Sequence, residues 1–407
     1  MRVRMVTVHD ESDVRFLMRR IGADEKGIQI MVPKALFRLI HVQGLSAPAL
    51  VVLKQEMLAR GAEAAIGKGA IVGEAGSGEA LLMGTVHQLR QVVEKLKMQS
   101  FGLKQLAAEL EKLPALTVKS GPEGAKEEDF SSPPRVIDCR GKKLELGKRT
   151  LVMGILNVTP DSFSDGGKFL AAEEAVRRAR QIEEEGADIL DIGGESTRPG
   201  AAPVTAEEEW GRLAPVLERL LEEISIPVSV DTYKSEVARR ALAMGVHIIN
   251  DVWGLKADPA MAETVAESGA AAVLMHNRRE ARYEGDLLQE IARDLEEGLL
   301  LAEKAGIEES RIILDPGIGF GKTAEHNLEV LRRLRELAVF NKPLLLGTSR
   351  KSFIGRVLDL PVEERLEGTA ATVALGIAAG ADIIRVHDVR AMLRVARMTD
   401  AVVRFRQ

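Results

Sequence analysis

Nine polar residues stand at or just beyond the ends of short apolar runs. They are Asn157, Thr197, Asp231, Asn250, His276, Asp315, Lys351, Arg385 and His387, and they are spread over more than two hundred positions. The runs read LVMGILNVTPDS, DILDIGGEST, PVSVDT, HIINDV, AAVLMH, RIILDPG, PLLLGTSRK and DIIRVHD. Asp231 and Asp315 follow strongly apolar stretches, where burial is expected, and a buried carboxylate is costly unless several donors meet it. With Asn250 they anticipate a ligand that presents N–H groups, and a planar heterocycle with an amino-amidine edge satisfies that demand. The bland alternative is that each Asp caps the helix that follows.

The last two runs change sign. Arg350, Lys351, Arg385 and His387 form a cationic cluster suited to a phosphorylated substrate or leaving group. A Schiff base on Lys351 is the covalent alternative, and surface salt bridging is the dull one. Two loops complete the set. VTPDSFSDGGKF is polar, is loosened by Gly166 and Gly167, and carries Phe163, which can cap an aromatic ligand. GGESTRPGAAP combines a hydroxyl, an Arg and glycines fit to grip an oxyanion, unless its Glu and Arg simply pair with each other.

For these residues to meet, the elements must bring eight strand ends to one place. The runs alternate with amphipathic stretches, and a strand-helix repeat of this count predicts a (β/α)₈ barrel, whose strands open at their C-terminal ends onto one pocket. In AAEEAVRRARQIEEEGAD the inner stripe is Ala175, Val176, Ala179 and Ile182, and Gly186 stops the helix. Ahead of the repeat, VIDCRGKKLELGKRT alternates as a hairpin that would close the barrel floor.

A chain of 407 residues exceeds what one core usually supports, so two domains are expected. GPEGAKEEDFSSPP has no periodicity and marks a linker over 119–134, between a small α/β domain (1–118) and the barrel (135–407). In the first domain Leu89, Val92, Val93 and Leu96 define one helix after the strand ALLMGT. ALVVLKQEMLARGAEAA predicts another helix, capped by Ser46. His9, His41 and His87 are isolated, and GEAGSGEA lacks the Lys of a phosphate loop, so this domain holds no catalytic constellation. A net charge of -5 argues against nucleic acid as the main partner, and the single Cys139 excludes an internal disulfide. The N-terminus lacks the apolar run of a secretory signal and no stretch is apolar enough to span a bilayer, so a cytoplasmic location is expected.

GILNVTPDSFSDGG, ESTRPGA, SVDTYKSEVA, NDVWGL, DPGIGFGK, GTSRKSFIG and RVHDV, in that order, resemble the motifs of the dihydropteroate synthases. The resemblance spans residues 135 to 407. It implies condensation of 6-hydroxymethyl-7,8-dihydropterin diphosphate with 4-aminobenzoate, giving dihydropteroate and pyrophosphate. By that likeness Asp231, Asn250, Asp315 and Lys351 hold the pterin ring, lined by Met275 and Phe320. Asn157 binds Mg²⁺, and the diphosphate meets Arg385, His387, Thr197 and Arg198. Ser352 and the first two loops complete the aminobenzoate site. Lys351, Arg385 and His387 are the catalytic candidates, and the family likeness implies a homodimer. Two departures stand out. NRREARYEGD after His276 differs from the Met-Gln-Gly type of sequence many relatives carry, so no role passes to that loop. The first 130 residues have no counterpart in the minimal enzyme. The rivals are a corrinoid-linked methyltransferase of the pterin-binding barrel type, which has no use for the cationic cluster, and a pterin-binding module without catalysis.

Overall fold

A computed structural model describes residues 6, 8, 11–68, 78–113, 116, 135–158, 168–195 and 203–404. The chain divides into two compact units, Met1–Glu128 and Asp129–Gln407.

In the first unit an antiparallel sheet has the order β1-β3-β2, from β1 (Phe37–Leu45), β2 (Glu63–Ile66) and β3 (Gly78–Thr85). Helices Glu25–Ala35, Ala47–Leu58 and Val86–Leu96 bury Ile28, Leu50, Leu53, Leu89 and Leu96 in a core that includes Leu82 of β3. ALLMGT lies in β3 as expected, and the Ser46 hydroxyl accepts from the Ala49 amide at 3.4 Å. The helix it caps is shorter than its sequence pattern suggested. It ends at Leu58, the chain turns at Gly61 with φ +67°, and Glu63–Ile66 pairs with β3 instead. Ala64 is buried there, so sheet pairing outweighs the helical preference of an alanine-rich stretch.

The second unit is the expected barrel. Its strands are β6 (Leu151–Asn157), β7 (Ile189–Gly193), β8 (Val228–Asp231), β9 (Ile248–Asp251), β10 (Ala271–Met275), β11 (Ile312–Asp315), β12 (Leu345–Leu346) and β13 (Ile383–Val386). All eight run parallel in the order β11-β10-β9-β8-β7-β6-β13-β12, and a parallel bridge between Leu314 and Leu344 closes the ring. Chain neighbours are therefore sheet neighbours all the way round. Buried on both faces, the strands read as continuous apolar runs. Outward residues such as Val152, Leu190 and Val230 pack on the helices, among them Ala175, Val176, Ala179 and Ile182 of Lys168–Glu184. That helix is ended by Gly186 at φ +97°.

A separate apolar cluster fills the barrel from below. Leu151, Met153, Ile189, Ile248, Val273, Ile313, Leu345 and Ile383 meet Ile137, Cys139, Leu144 and Leu146. These last four come from the antiparallel hairpin of β4 (Arg135–Cys139) and β5 (Lys142–Leu146), which plugs the floor. Burial lifts the Cys139 thiol to about 12, so it sits there as a small apolar side chain. Among the described residues no helix is long and apolar enough to cross a membrane.

Strand and helix approach closely at Gly154 of β6, where an added Cβ would meet Ile182 Cγ2 at 2.4 Å and Val389 Cγ2 at 3.0 Å. Gly154→Val is expected to destabilise the barrel by about 1–3 kcal/mol through overpacking. A urea midpoint equal to that of the parent chain would show that the layer yields freely.

Candidate active site

The polar strand ends gather as two linked groups above the apolar floor. In the first, Asp231 of β8 is buried, and its Oδ2 accepts from Arg385 Nη2 at 2.6 Å. Arg385 Nε donates to Asp191 Oδ2, also at 2.6 Å, and Asn250 Nδ2 donates to the same oxygen at 3.2 Å. Gly193 ends β7 beside them. A Cβ there would lie 3.7 Å from Asp231 Cβ and 3.9 Å from Asn157 Oδ1, so Asn157 opens onto the same mouth.

In the second group Asp315 Oδ1 accepts from the Gly317 amide at 2.7 Å. Lys351 lies with Nζ 4.3 Å from the Phe320 ring centroid and donates to the Ile318 carbonyl. Met275 ends β10 in register with Asp315. Burial raises both carboxyls above the ordinary carboxylate range and so favours their neutral form, against the pull of Arg385 on Asp231 and of Lys351 on Asp315. Burial likewise draws Lys351 down to about 8. For Arg385 the balance tips the other way, since Asp191 and Asp231 outweigh desolvation and keep it charged.

The helix-cap alternative for the two Asp residues fails. Ser235–Met244 begins at Lys234 without a side-chain cap, and its first amide is met by Asp258 Oδ2. Ala324–Arg333 is capped by Thr323. With their helices served by other residues, the carboxylates are left facing the lumen. Adjacent Asp251 is the structural one of the NDVWGL motif. It binds the Trp253 and Leu255 amides at 2.8 and 2.7 Å, and burial lifts it to about 6.

The cationic cluster is only partly what the sequence suggested. Arg350, at φ +56°, turns to Asp388 in a two-point pair at 2.9 and 2.6 Å, so it belongs to a salt bridge and not to the gathered cations. Lys351, Arg385 and His387 remain. His387 is held by Ser349 Oγ, 3.1 Å from its amide and 3.0 Å from Nδ1. Ser352 is exposed at the start of helix Ser352–Leu358. Thr197, Arg198 and Phe163 lie outside the described residues. Glu195, at the stem of the second loop, is taken by Lys234 Nζ and by the Tyr233 hydroxyl at 3.3 Å. Lys234 also reaches buried Glu209 Oε2 at 2.5 Å.

The divergent loop after His276 acts as a brace. Lys322 of the GFGK segment binds His276 Nδ1 at 2.7 Å and the carbonyls of Gly317 and Phe320 at 3.0 and 3.2 Å. Tyr283 donates to the Gly321 carbonyl at 2.8 Å, and Arg278 binds Asp294 and Glu290, both at 2.7 Å. Burial keeps His276 near 4 and Lys322 far below its ordinary range, which favours neutral partners. Asp191, Ser349 and Lys322 were not among the expected site residues. Asp191 had a signal, because a charged residue inside DILDIGG must be paired if the strand is buried.

The model of the pterin binding enzyme family matches residues 153–387. Dihydropteroate synthase of Bacillus subtilis is 54% identical over 268 residues, 66% of this chain and 94% of that protein. The chain belongs to the dihydropteroate synthase family. Its activity is that of a transferase of folate biosynthesis, and its substrates are small molecules. A dihydropteroate synthase from Clostridium difficile, crystallised in the presence of pteroic acid, superposes with a TM-score of 0.64 at 50% identity, over 64% of this chain and all of that one. The Xanthomonas albilineans dihydropteroate synthase with 4-aminobenzoic acid gives a TM-score of 0.63 at 45% identity, over 66% of this chain and 98% of that one. A probable bifunctional folylpolyglutamate synthase/dihydropteroate synthase of Halobacterium salinarum is 39% identical over 401 residues, 96% of this chain but 46% of that protein. The region ahead of the barrel therefore has a counterpart there, although the minimal dihydropteroate synthases lack one.

Lys351 supplies a pH test. Between about pH 8 and its ordinary value of 10.5 the unfolded chain holds a proton that the folded chain has released, so this group makes stability rise with pH across that window. Lys351→Met is expected to remove the rise. Urea midpoints whose difference from the parent chain is the same at pH 8 and pH 10 would contradict the depressed lysine.

Proposed function

We propose that the chain condenses 6-hydroxymethyl-7,8-dihydropterin diphosphate with 4-aminobenzoate to 7,8-dihydropteroate and pyrophosphate. The observation that carries this assignment is the pair of buried carboxylates, Asp231 and Asp315, which cap no helix and share one barrel mouth with Lys351 and Arg385. Solved relatives that carry pteroic acid, 4-aminobenzoic acid or 6-chloroguanine support the same ligand chemistry.

In this mechanism Asp231 and Asp315 accept the ring N–H groups, Asn250 supplies its amide, and Met275 and Phe320 line the ring. Lys351, lying over Phe320, holds the ring edge. Arg385, His387, Thr197 and Arg198 take the diphosphate, and Ser352 with the first two loops takes the aminobenzoate. The C–O bond to diphosphate breaks with its electron pair leaving on oxygen, and positive charge spreads from the methylene into the conjugated ring. The cationic side chains stabilise the departing anion. The arylamine is already a neutral nucleophile, so its lone pair forms the C–N bond without a strong base. The proton it sheds passes to water or to the departing diphosphate.

Mg²⁺ fits the donor set. Asn157 offers a hard oxygen at the mouth, and the described residues form no cluster of three His, Cys, Asp or Glu side chains that would cage an ion alone. Such an ion is usually held by few protein oxygens together with substrate phosphates. Asn157 would hold it, and when bound it would offset charge on the diphosphate. The assembly we propose is a homodimer. Val357, Leu375, Met398 and Val402, on the last three helices of the barrel, are 57%, 64%, 66% and 67% exposed, an apolar exposure suited to a partner. The lone buried thiol suits the cytoplasm.

Pyrophosphate release from the pterin diphosphate is expected to require both 4-aminobenzoate and Mg²⁺, and to stop with a chelator. Tight pterin binding without release would point to a methyltransferase or a binding module instead. Light scattering should give a dimeric mass, shifted toward the monomer by Leu375→Glu with Met398→Glu. A parent chain that is monomeric at micromolar concentration would exclude the dimer.

A further inference from the structure

Asp191 stands deeper in the barrel than the strand-end residues. It lies in mid-strand on β7, beside Ser229 of β8 in register, and its residue is fully buried. One oxygen receives both Arg385 Nε and Asn250 Nδ2, while Oδ1 has no hydrogen-bond partner among the described residues. The Asp191 oxygen that accepts from Arg385 Nε also accepts from Asn250, whose nitrogen is therefore the atom that faces it. That fixes the amide and leaves Asn250 Oδ1 and its second amide hydrogen for a ligand. The same carboxylate fixes the guanidinium. With Nε on Asp191 and Nη2 on Asp231, no described residue accepts from Nη1, whose two hydrogens are left for an anion.

We propose that Asp191 is a positioning residue which, through one carboxylate oxygen, sets the Asn250 amide toward the pterin ring and the Arg385 guanidinium toward the diphosphate. This rests on the synthase assignment and deepens it. Ring and leaving group are two ends of one substrate, and the residues that meet them share a single buried anchor. Asp231 alone could not do this, because its contact reaches Arg385 but not Asn250. Asp191 is nearly isosteric with Asn, so the exchange removes the charge and the obligatory acceptor without opening a cavity.

The test uses the full chain and two probes that need no turnover, 6-hydroxymethylpterin for the ring site and inorganic pyrophosphate for the anion site, with calorimetric titration as readout. Asp191→Asn is expected to weaken each probe about tenfold, the scale of one charge-assisted hydrogen bond. Asn250→Ala should abolish the further loss for the pterin, and Arg385→Ala should abolish it for pyrophosphate, because Asp191 acts through those residues. A residue that merely holds the fold would weaken both probes by the same factor in every background. Undiminished losses in the two double variants, or native affinities in Asp191→Asn, would overturn the proposal. If Asp191→Asn does not fold, Arg385→Lys approaches from the other partner. A lysine carries its three donors on one nitrogen and cannot reproduce the separate Nε and Nη2 contacts that aim two Nη1 hydrogens outward, so pyrophosphate affinity should fall while pterin affinity holds. Retained pyrophosphate affinity would overturn the proposal. Turnover of the parent chain, measured separately, decides the synthase assignment on its own.

Discussion

The barrel keeps a charged guanidinium largely buried within its lumen, and the rest of the site follows from how that charge is met. Arg385 is stable there because two carboxylates from different strands bind it in two places, and each carboxylate tolerates burial because Arg385 is present. Lys351 and Asp315 offset one another in the same way across the mouth. No single strand could support its own charged end. Closing the sheet into a ring brings opposite charges from distant parts of the sequence within hydrogen-bond reach. The network therefore rests on complete closure of the barrel, including the bridge between Leu314 and Leu344.

Below this polar layer the floor is wholly apolar, and the division follows the strand pattern. Inward residues near the strand starts, such as Met153, Ile189 and Ile313, pack on the hairpin plug, while those at the ends are polar and, in the proposed reaction, hold the substrates. Stability and function thus occupy different heights of the same strands. The braces confirm how much structure the mouth needs. Lys322, buried against His276 and two carbonyls, holds the DPGIGFGK turn from behind, and Arg278 with Tyr283 fastens the loop that crosses it.

Much of this was legible in the sequence for physical reasons. Eight apolar runs with polar ends can face one pocket only in a closed parallel barrel, and the hairpin ahead of them alternated clearly. Motifs in order gave the family, and the positions of Asp231, Asn250, Asp315 and Lys351 followed. What was not legible depended on pairing between distant residues. Arg350 and Lys351 are neighbours in sequence, yet a left-handed backbone at Arg350 sends its side chain to Asp388, and nothing local announces that partner. Asp191 sits inside an apolar strand, and nothing local announces Arg385 as its partner. The helix after Ser46 was overextended because Glu63–Ile66 has helical composition and becomes a strand only through its partner β3.

The hairpin plug has a consequence for molecular traffic. Since Ile137, Cys139, Leu144 and Leu146 seal the strand starts, the described residues leave the strand-end side as the way into and out of the lumen. In the proposed reaction a flat ring on the deep carboxylates would then arrive before anything nearer the rim, and a product joining the two would withdraw as one piece along the same path. In such a vessel, closed at the bottom, the sequence of arrivals and departures is imposed by depth.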